Sequence, residues 1–310
     1  MLLNFFYVIF GFAFLILGGN WLLKAAVALA LRLNVPKIVI GMTVVSLATS
    51  APELIVSVNA ALQGTPDIAM GNVVGSNIAN LGLVLAVTIL LGRIDVEKSF
   101  YKINWPVMMV SSLLLFGAIY FDGELSRLEG LCMVVLLIFF LVYLIRFQIP
   151  AVVDEAPEDD TPLAPFKTML LLILGGIGLW AGSELLIKGA VSLAKNFNVS
   201  QHVIAITVIS IGTSIPELAA SVTAVMKKEK AISLGNLIGS NIFNILAVLG
   251  VTSIITPIEV GSTFNGDLLW MMGISLLLLP LVFFPKNMRL GFLEGILLLI
   301  FYGVFMYVSI

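Results

Sequence analysis

The sequence predicts an all-α integral membrane protein of ten transmembrane helices arranged as two inverted five-helix repeats. Three observations carry this. The 310 residues are 60% apolar and 11% charged, with a mean hydropathy of +1.13. The apolar residues gather into stretches of membrane-spanning length. The chain also matches itself when shifted by 164 residues.

A soluble domain carries about 25% charged residues. This composition therefore calls for a lipid bilayer as the surroundings. The net charge of −2 and the lack of a basic cluster point away from nucleic acid. Nothing implies an obligate protein partner or a cofactor. Cys132 is the only cysteine, which excludes an internal disulfide and a cysteine metal site. It lies in an apolar run and reads as a buried, inert thiol. His202, the only histidine, reads as a loop residue.

A spanning helix needs roughly 20 mostly apolar residues. The candidates are 3–31, 36–62, 67–92, 104–121, 127–148, 166–195, 200–226, 231–256, 267–284 and 290–309. The first lacks a basic leader region and a cleavage site, and reads as a retained membrane helix. Lysine and arginine set the orientation. Twelve of the 16 fall in loops on one side, from Arg32 and Lys37 to Lys286 and Arg289. Only Arg127 and Lys195 fall on the other, and Lys24 and Lys188 lie within spans. The basic side is then cytoplasmic, in a multi-pass protein of the cell membrane with both termini outside. The halves are 1–150 and 166–310. The acidic linker 151–165, with Asp154, Glu155, Glu158, Asp159 and Asp160, is placed in the cytoplasm as a solvated connector.

The repeat is strongest where the spans are most polar. Residues 41–85 against 205–249 give 21 identities in 45 ungapped pairs. Thr49-Ser50 falls on Thr213-Ser214, Pro52-Glu53-Leu54 on Pro216-Glu217-Leu218, and Gly75-Ser76-Asn77 on Gly239-Ser240-Asn241. Five helices per half is an odd number, so the second half enters the bilayer upside down. That plan belongs to secondary transporters with a midplane site where the repeats meet.

Glu53 and Glu217 place a carboxylate near the middle of the second and seventh spans. A charge at bilayer centre costs roughly 2.5–3.5 kcal/mol on insertion scales, and its default reading is functional. The preceding prolines remove a backbone donor, so the helices should kink or open at Ser46–Pro52 and Ser210–Pro216. Freed carbonyls would then stand beside the hydroxyls of Thr49, Ser50, Thr213 and Ser214. Those hydroxyls could instead satisfy the kinked backbone. Ser76 with Asn80, and Ser240 with Asn244, share helix faces at four-residue spacing. Asn72 and Asn236 extend those faces, while Asn77 and Asn241 are placed either in the site or between helices. Gly71, Gly75, Gly235 and Gly239 are read as close-packing positions. These groups are all hard oxygen donors. Ca2+ takes six to eight oxygens, commonly with carboxylates, and subsets of the same oxygens suit Na+. Without a thiol or imidazole, a copper, zinc or iron site is disfavoured.

Ala-Thr-Ser-Ala-Pro-Glu at 48–53, Gly-Thr-Ser-Ile-Pro-Glu at 212–217, and the Gly-Asn segments at 71–77 and 235–241 resemble the alpha repeats of the Ca2+/cation antiporter superfamily. The match is nearest to its prokaryotic sodium/calcium exchanger branch and covers essentially the whole chain. The resemblance implies Na+/Ca2+ antiport, with cation coordination by Glu53, Glu217, Thr49, Ser50, Thr213, Ser214, Ser76, Ser240, Asn80 and Asn244. It also implies carbonyl ligands at Ser46 and Ser210, and sliding of the first and sixth helices. Asn244, where some relatives carry Asp, weighs against K+ dependence. Ser76 and Ser240, in the Gly-Asn segments where the proton-coupled branch has a glutamate, weigh against H+. Exchange of Ca2+ for H+ and K+-dependent exchange stay open as alternatives. A channel fits an inverted repeat less well, and no nucleophile–base pair suggests an enzyme.

Overall fold

The hydropathy pattern becomes helix along most of the described residues. The computed structural model describes residues 2–147, 163–196, 212–260, 264–284 and 288–309. Helix α1 (Leu2–Leu33) leads to α2 (Lys37–Ile40), a π-helical turn (Gly41–Val45), α3 (Ser46–Thr49) and α4 (Ala51–Leu62). Then come α5 (Pro66–Ala79), a second π-helical segment (Asn80–Leu85) and α6 (Ala86–Leu91). A third π-helical turn (Phe100–Asn104) precedes α7 (Trp105–Asp122), and α8 (Arg127–Phe147) closes the first half. The second half holds α9 (Pro165–Asn196), α10 (Ile215–Met226), α11 (Lys230–Phe243), a π-helical segment (Asn244–Leu249), α12 (Gly250–Ile255), α13 (Phe264–Phe283) and α14 (Phe292–Ser309).

Among the described residues, seven helical runs are long and apolar enough to cross a membrane, and the bent pair Lys37–Thr49 and Ala51–Leu62, taken as one span, makes an eighth. The apolar helices α10 and α14 are shorter. The predicted span 200–226 begins outside the described residues, and α10 is its second half. Outward faces carry large apolar side chains such as Phe121, Phe139 and Phe166. Such a surface is stable against lipid, not water.

Cys132, expected to be buried, is instead exposed on α8. Hydropathy cannot separate a helix face turned to lipid from one turned to protein, which is why the expectation failed.

Burial sorts the helices into a centre and a periphery. In the 18-residue apolar stretches within Ile68–Leu91 and Lys230–Ile255, 78% of residues are buried, against 28% in those within Arg127–Phe147 and Pro165–Leu193. The central pair carries the Gly-Asn segments. Around it, α1 and α9 pack on each other as an antiparallel pair with bare backbones in contact. A Cβ on Gly18 would stand 2.7 Å from the Leu179 nitrogen, and one on Gly182 2.8 Å from the Leu15 nitrogen. Small residues mediate this close approach. Ala26, Ala220 and Ala224 belong to a hydrophobic cluster beside this pair, separate from the main core.

Among the described residues, two short strand pairs link the halves. β1 (Ile94–Asp95) pairs with β4 (Arg289–Leu290), and β2 (Glu124–Leu125) with β3 (Ile258–Glu259). Lys37 adds an ion pair to Glu229 at 2.8 Å, again between halves.

Candidate cation site

The site begins with two matching helix breaks. Ser50, between α3 and α4, has φ −88° and ψ 3°; Ser214, before α10, has φ −86° and ψ 3°. The axis bends by 45° at the first break. Pro52 and Pro216 each fall in the first turn of the following helix, where a missing donor is tolerated. The break thus lies two residues before the proline. Glu53 and Glu217 follow in the same first turns, where the helix dipole favours an anion.

Both glutamates are fully buried. Glu217 Oε1 accepts hydrogen bonds from Ser50 Oγ at 3.3 Å and Ser240 Oγ at 3.4 Å. Thr49 Oγ1 lies 3.3 Å from Ser240 Oγ, and Ser76 Oγ lies 3.1 Å from Thr213 Oγ1. These two contacts are equivalents under the 164-residue shift. Glu53 Oε1 and Oε2, Glu217 Oε2, Ser214 Oγ, Asn80 Oδ1 and Asn244 Oδ1 are buried with no hydrogen-bond partner among the described residues. A buried polar atom without a partner is costly, and here most of the orphans are oxygens that cannot donate.

Four asparagines orient two of them. Asn80 Nδ2 donates to Asn241 Oδ1 at 3.1 Å, and Asn244 Nδ2 donates to Asn77 Oδ1 at 3.0 Å. Each nitrogen is thereby occupied, and each Oδ1 of Asn80 and Asn244 is the free end. Asn77 and Asn241 bond between helices, so of their two candidate placements the structure takes this one. Asn72 and Asn236 donate to Ser57 Oγ at 3.0 Å and Ser221 Oγ at 3.1 Å. The sequence reading missed those two serines, although they are identical under the same shift.

Ser46 corrects the picture of a bare carbonyl. Its oxygen accepts the Ser50 N–H at 2.8 Å and the Thr49 hydroxyl at 3.3 Å. Its own hydroxyl is bonded to the Gly41 and Asn236 carbonyls, each at 2.9 Å. Ser210 lies outside the described residues. Gly235 and Gly239 pack tightly on the Ile38–Ser46 stretch. A Cβ on Gly71 would meet only the Phe264 ring, at 3.7 Å, and one on Gly75 nothing within 4 Å among the described residues. No group of three His, Cys, Asp or Glu that could hold a metal occurs among the described residues. A cation here would use neutral oxygens beside the two carboxylates.

A family model described as sodium/calcium exchanger protein matches residues 3–146 and 167–310. The chain belongs to this family. It sits on the prokaryotic branch of the Ca2+/cation antiporters. The putative antiporter CaxA of Alkalimonas amylolytica is 40% identical, across 98% of this chain and 98% of that one. The sodium/calcium exchanger MaX1 of Methanosarcina acetivorans is 31% identical, again over 98% of each chain. A solved structure of the sodium-calcium exchanger NCX_Mj, soaked with zero Na+ and Ca2+, superposes with a TM-score of 0.85 at 30% identity, covering 99% of both chains. A sodium/calcium exchanger fold therefore surrounds the buried oxygens.

Proposed function

We propose that this exchanger-family membrane protein is a Na+/Ca2+ antiporter whose single site holds either Ca2+ or Na+. The observation that carries the reading is the cluster of buried, unpartnered oxygens around two fully buried carboxylates. Ligands would come from Glu53, Glu217, Thr49, Ser50, Thr213, Ser214, Ser76, Ser240, Asn80 and Asn244, and from the Ser210 carbonyl; the Ser46 carbonyl would join them only by releasing the Thr49 hydroxyl it now accepts. Two carboxylates neutralise Ca2+, and the neutral oxygens bring the count toward the six to eight that Ca2+ takes. The Na+/Ca2+ selection follows the names of MaX1 and NCX_Mj.

Ten helices in two inverted repeats, 1–150 and 166–310, complete the proposal. The antiparallel α1–α9 pair and the shift-related strand pairs support it. Alternating access would come from α1 and α9 sliding as a unit over the alanine-lined cluster while the centre stays fixed. The protein would lie in the cell membrane with both termini outside and the linker 151–165 in the cytoplasm.

The test is 45Ca2+ uptake into proteoliposomes preloaded with Na+, K+ or choline, at equal pH and with an imposed pH gradient. Uptake that needs internal Na+ supports the proposal. Uptake driven by the proton gradient and indifferent to Na+ would replace it with Ca2+/H+ exchange.

A further inference from the structure

We propose that Asn236, braced by Ser221, is a positioning residue: its amide oxygen takes the Thr49 proton and so frees the Ser46 carbonyl for a cation. This role rests on the cation site proposed above and adds to it, since neither Asn236 nor Ser221 is among the ligands. Two rungs join α10 to α11. Glu217 and Ser221 lie four residues apart on α10, as Asn236 and Ser240 do on α11, so each pair shares a helix face. One rung is Ser240 Oγ donating to Glu217 Oε1 at 3.4 Å, and the other is Asn236 Nδ2 donating to Ser221 Oγ at 3.1 Å. Thr49, from the other half, stands across both. Its Oγ1 lies 3.3 Å from Ser240 Oγ and 3.2 Å from Asn236 Oδ1. All five side chains are buried.

The proton count decides what this arrangement does. A threonine hydroxyl has one proton and two lone pairs. Three acceptors surround the Thr49 hydroxyl among the described residues: the Ser46 carbonyl at 3.3 Å, Ser240 Oγ and Asn236 Oδ1. The first two are proposed ligands, so a proton sent to either consumes an oxygen that the cation needs. Asn236 Oδ1 is the acceptor that consumes none. With a cation at the Ser46 carbonyl, charge repulsion turns the Thr49 proton away, and Asn236 Oδ1 receives it. Thr49 then turns its lone pairs to the cation. Without that acceptor, Thr49 falls back on a ligand oxygen and blocks it.

Ser221 fixes which end of the amide faces Thr49. With Nδ2 donating to Ser221, Oδ1 is left for Thr49; a flipped amide would present protons instead. The opposite half is built alike, with Asn72 Nδ2 donating to Ser57 Oγ at 3.0 Å and to the Glu53 carbonyl at 3.4 Å. The Asn236 backbone carbonyl accepts the Ser46 hydroxyl at 2.9 Å, which holds the Ser46–Thr49 turn against α11.

The experiment is a double-mutant cycle on the full chain, read as 45Ca2+ equilibrium binding and its displacement by Na+. Asn236→Leu roughly keeps the side-chain volume and removes the acceptor. It should weaken binding of at least one of the two ions about three- to tenfold, the worth of one neutral hydrogen bond. Thr49→Val alone should weaken binding of the same ion. Adding Asn236→Leu to Thr49→Val should cost nothing more, because no proton is left to place. Ser221→Ala is the smaller change and lets the amide flip. It should show the same pattern, a loss of affinity by itself and none on top of Thr49→Val. Equal losses with and without the Thr49 hydroxyl would make Asn236 a structural residue only and overturn its positioning role. Wild-type affinity for both ions in Asn236→Leu and in Ser221→Ala would overturn it too. Should Asn236→Leu fail to fold, the Ser221→Ala cycle decides. Wild-type protein that binds neither ion sinks the cation site and the role of Asn236 with it; wild-type binding without the coupling sinks that role alone.

Discussion

Asn77 and Asn241 hold each other across the centre of the molecule. Each side-chain amide donates to the other's backbone carbonyl, both at 3.2 Å. Their own Oδ1 atoms then receive the amides of Asn244 and Asn80. The two residues therefore leave the Oδ1 atoms of Asn80 and Asn244, both proposed as cation ligands, without a hydrogen-bond partner among the described residues. Asn77→Ala or Asn241→Ala frees the neighbouring amide to rotate. Losing one buried partner costs about 1–3 kcal/mol, so Ca2+ affinity should drop about five- to 150-fold. Calorimetric Ca2+ titration checks this; unchanged affinity would remove the asparagine lattice from the site.

Asn244→Asp tests the same lattice from the other side. The new carboxylate would face Asn77 Oδ1, acceptor against acceptor, unless it carries a proton. Ca2+ affinity in this variant should vary with pH more steeply than in wild type between about pH 5 and pH 8. Matching pH profiles would contradict the assigned amide orientation.

Ser50 and Ser240 both donate to Glu217 Oε1. Hydrogen bonds to charged groups contribute about 1.5–3 kcal/mol each. Ser50→Ala and Ser240→Ala should each lower the ion-free melting temperature by a few degrees and, because both hydroxyls are proposed ligands, also weaken Ca2+ binding about tenfold or more. A large loss of stability with unchanged binding would make these hydroxyls merely structural.

The α1–α9 contact is backbone on backbone. Gly18→Val must push Leu179 or Gly175 aside, since a Cβ at Gly18 would lie 2.7 Å from the Leu179 nitrogen. Overpacking costs about 1–3 kcal/mol. Thermal unfolding should shift down for Gly18→Val and hold or rise slightly for Gly117→Ala, where a Cβ meets nothing within 4 Å among the described residues. Equal melting of both variants would disprove the tight contact.

Much of this is legible in the sequence. Hydropathy placed the helical stretches, because lipid demands long apolar helices. The 164-residue register singled out Glu53, Glu217, Ser76, Ser240, Asn80 and Asn244 by polarity within apolar spans. The breaks at Ser50 and Ser214 followed from the prolines, displaced by two residues. Other features were hidden for physical reasons. The π-helical segments at Gly41–Val45 and Asn244–Leu249 leave no periodic signature, since one shifted hydrogen bond does not alter the apolar pattern. The exposure of Cys132 was hidden because lipid and protein interior select the same residues. Ser57 and Ser221 were readable from the repeat alone, but their role as partners of Asn72 and Asn236 needed the fold.

The most direct test is 45Ca2+ equilibrium binding to the purified protein, with Glu53→Gln and Glu217→Gln beside wild type, each with and without competing Na+. The buried oxygen cluster predicts saturable wild-type binding that Na+ displaces. It predicts loss of that binding in both variants, while they keep the wild-type melting temperature without Ca2+. Unaltered Ca2+ binding in either variant would contradict the site.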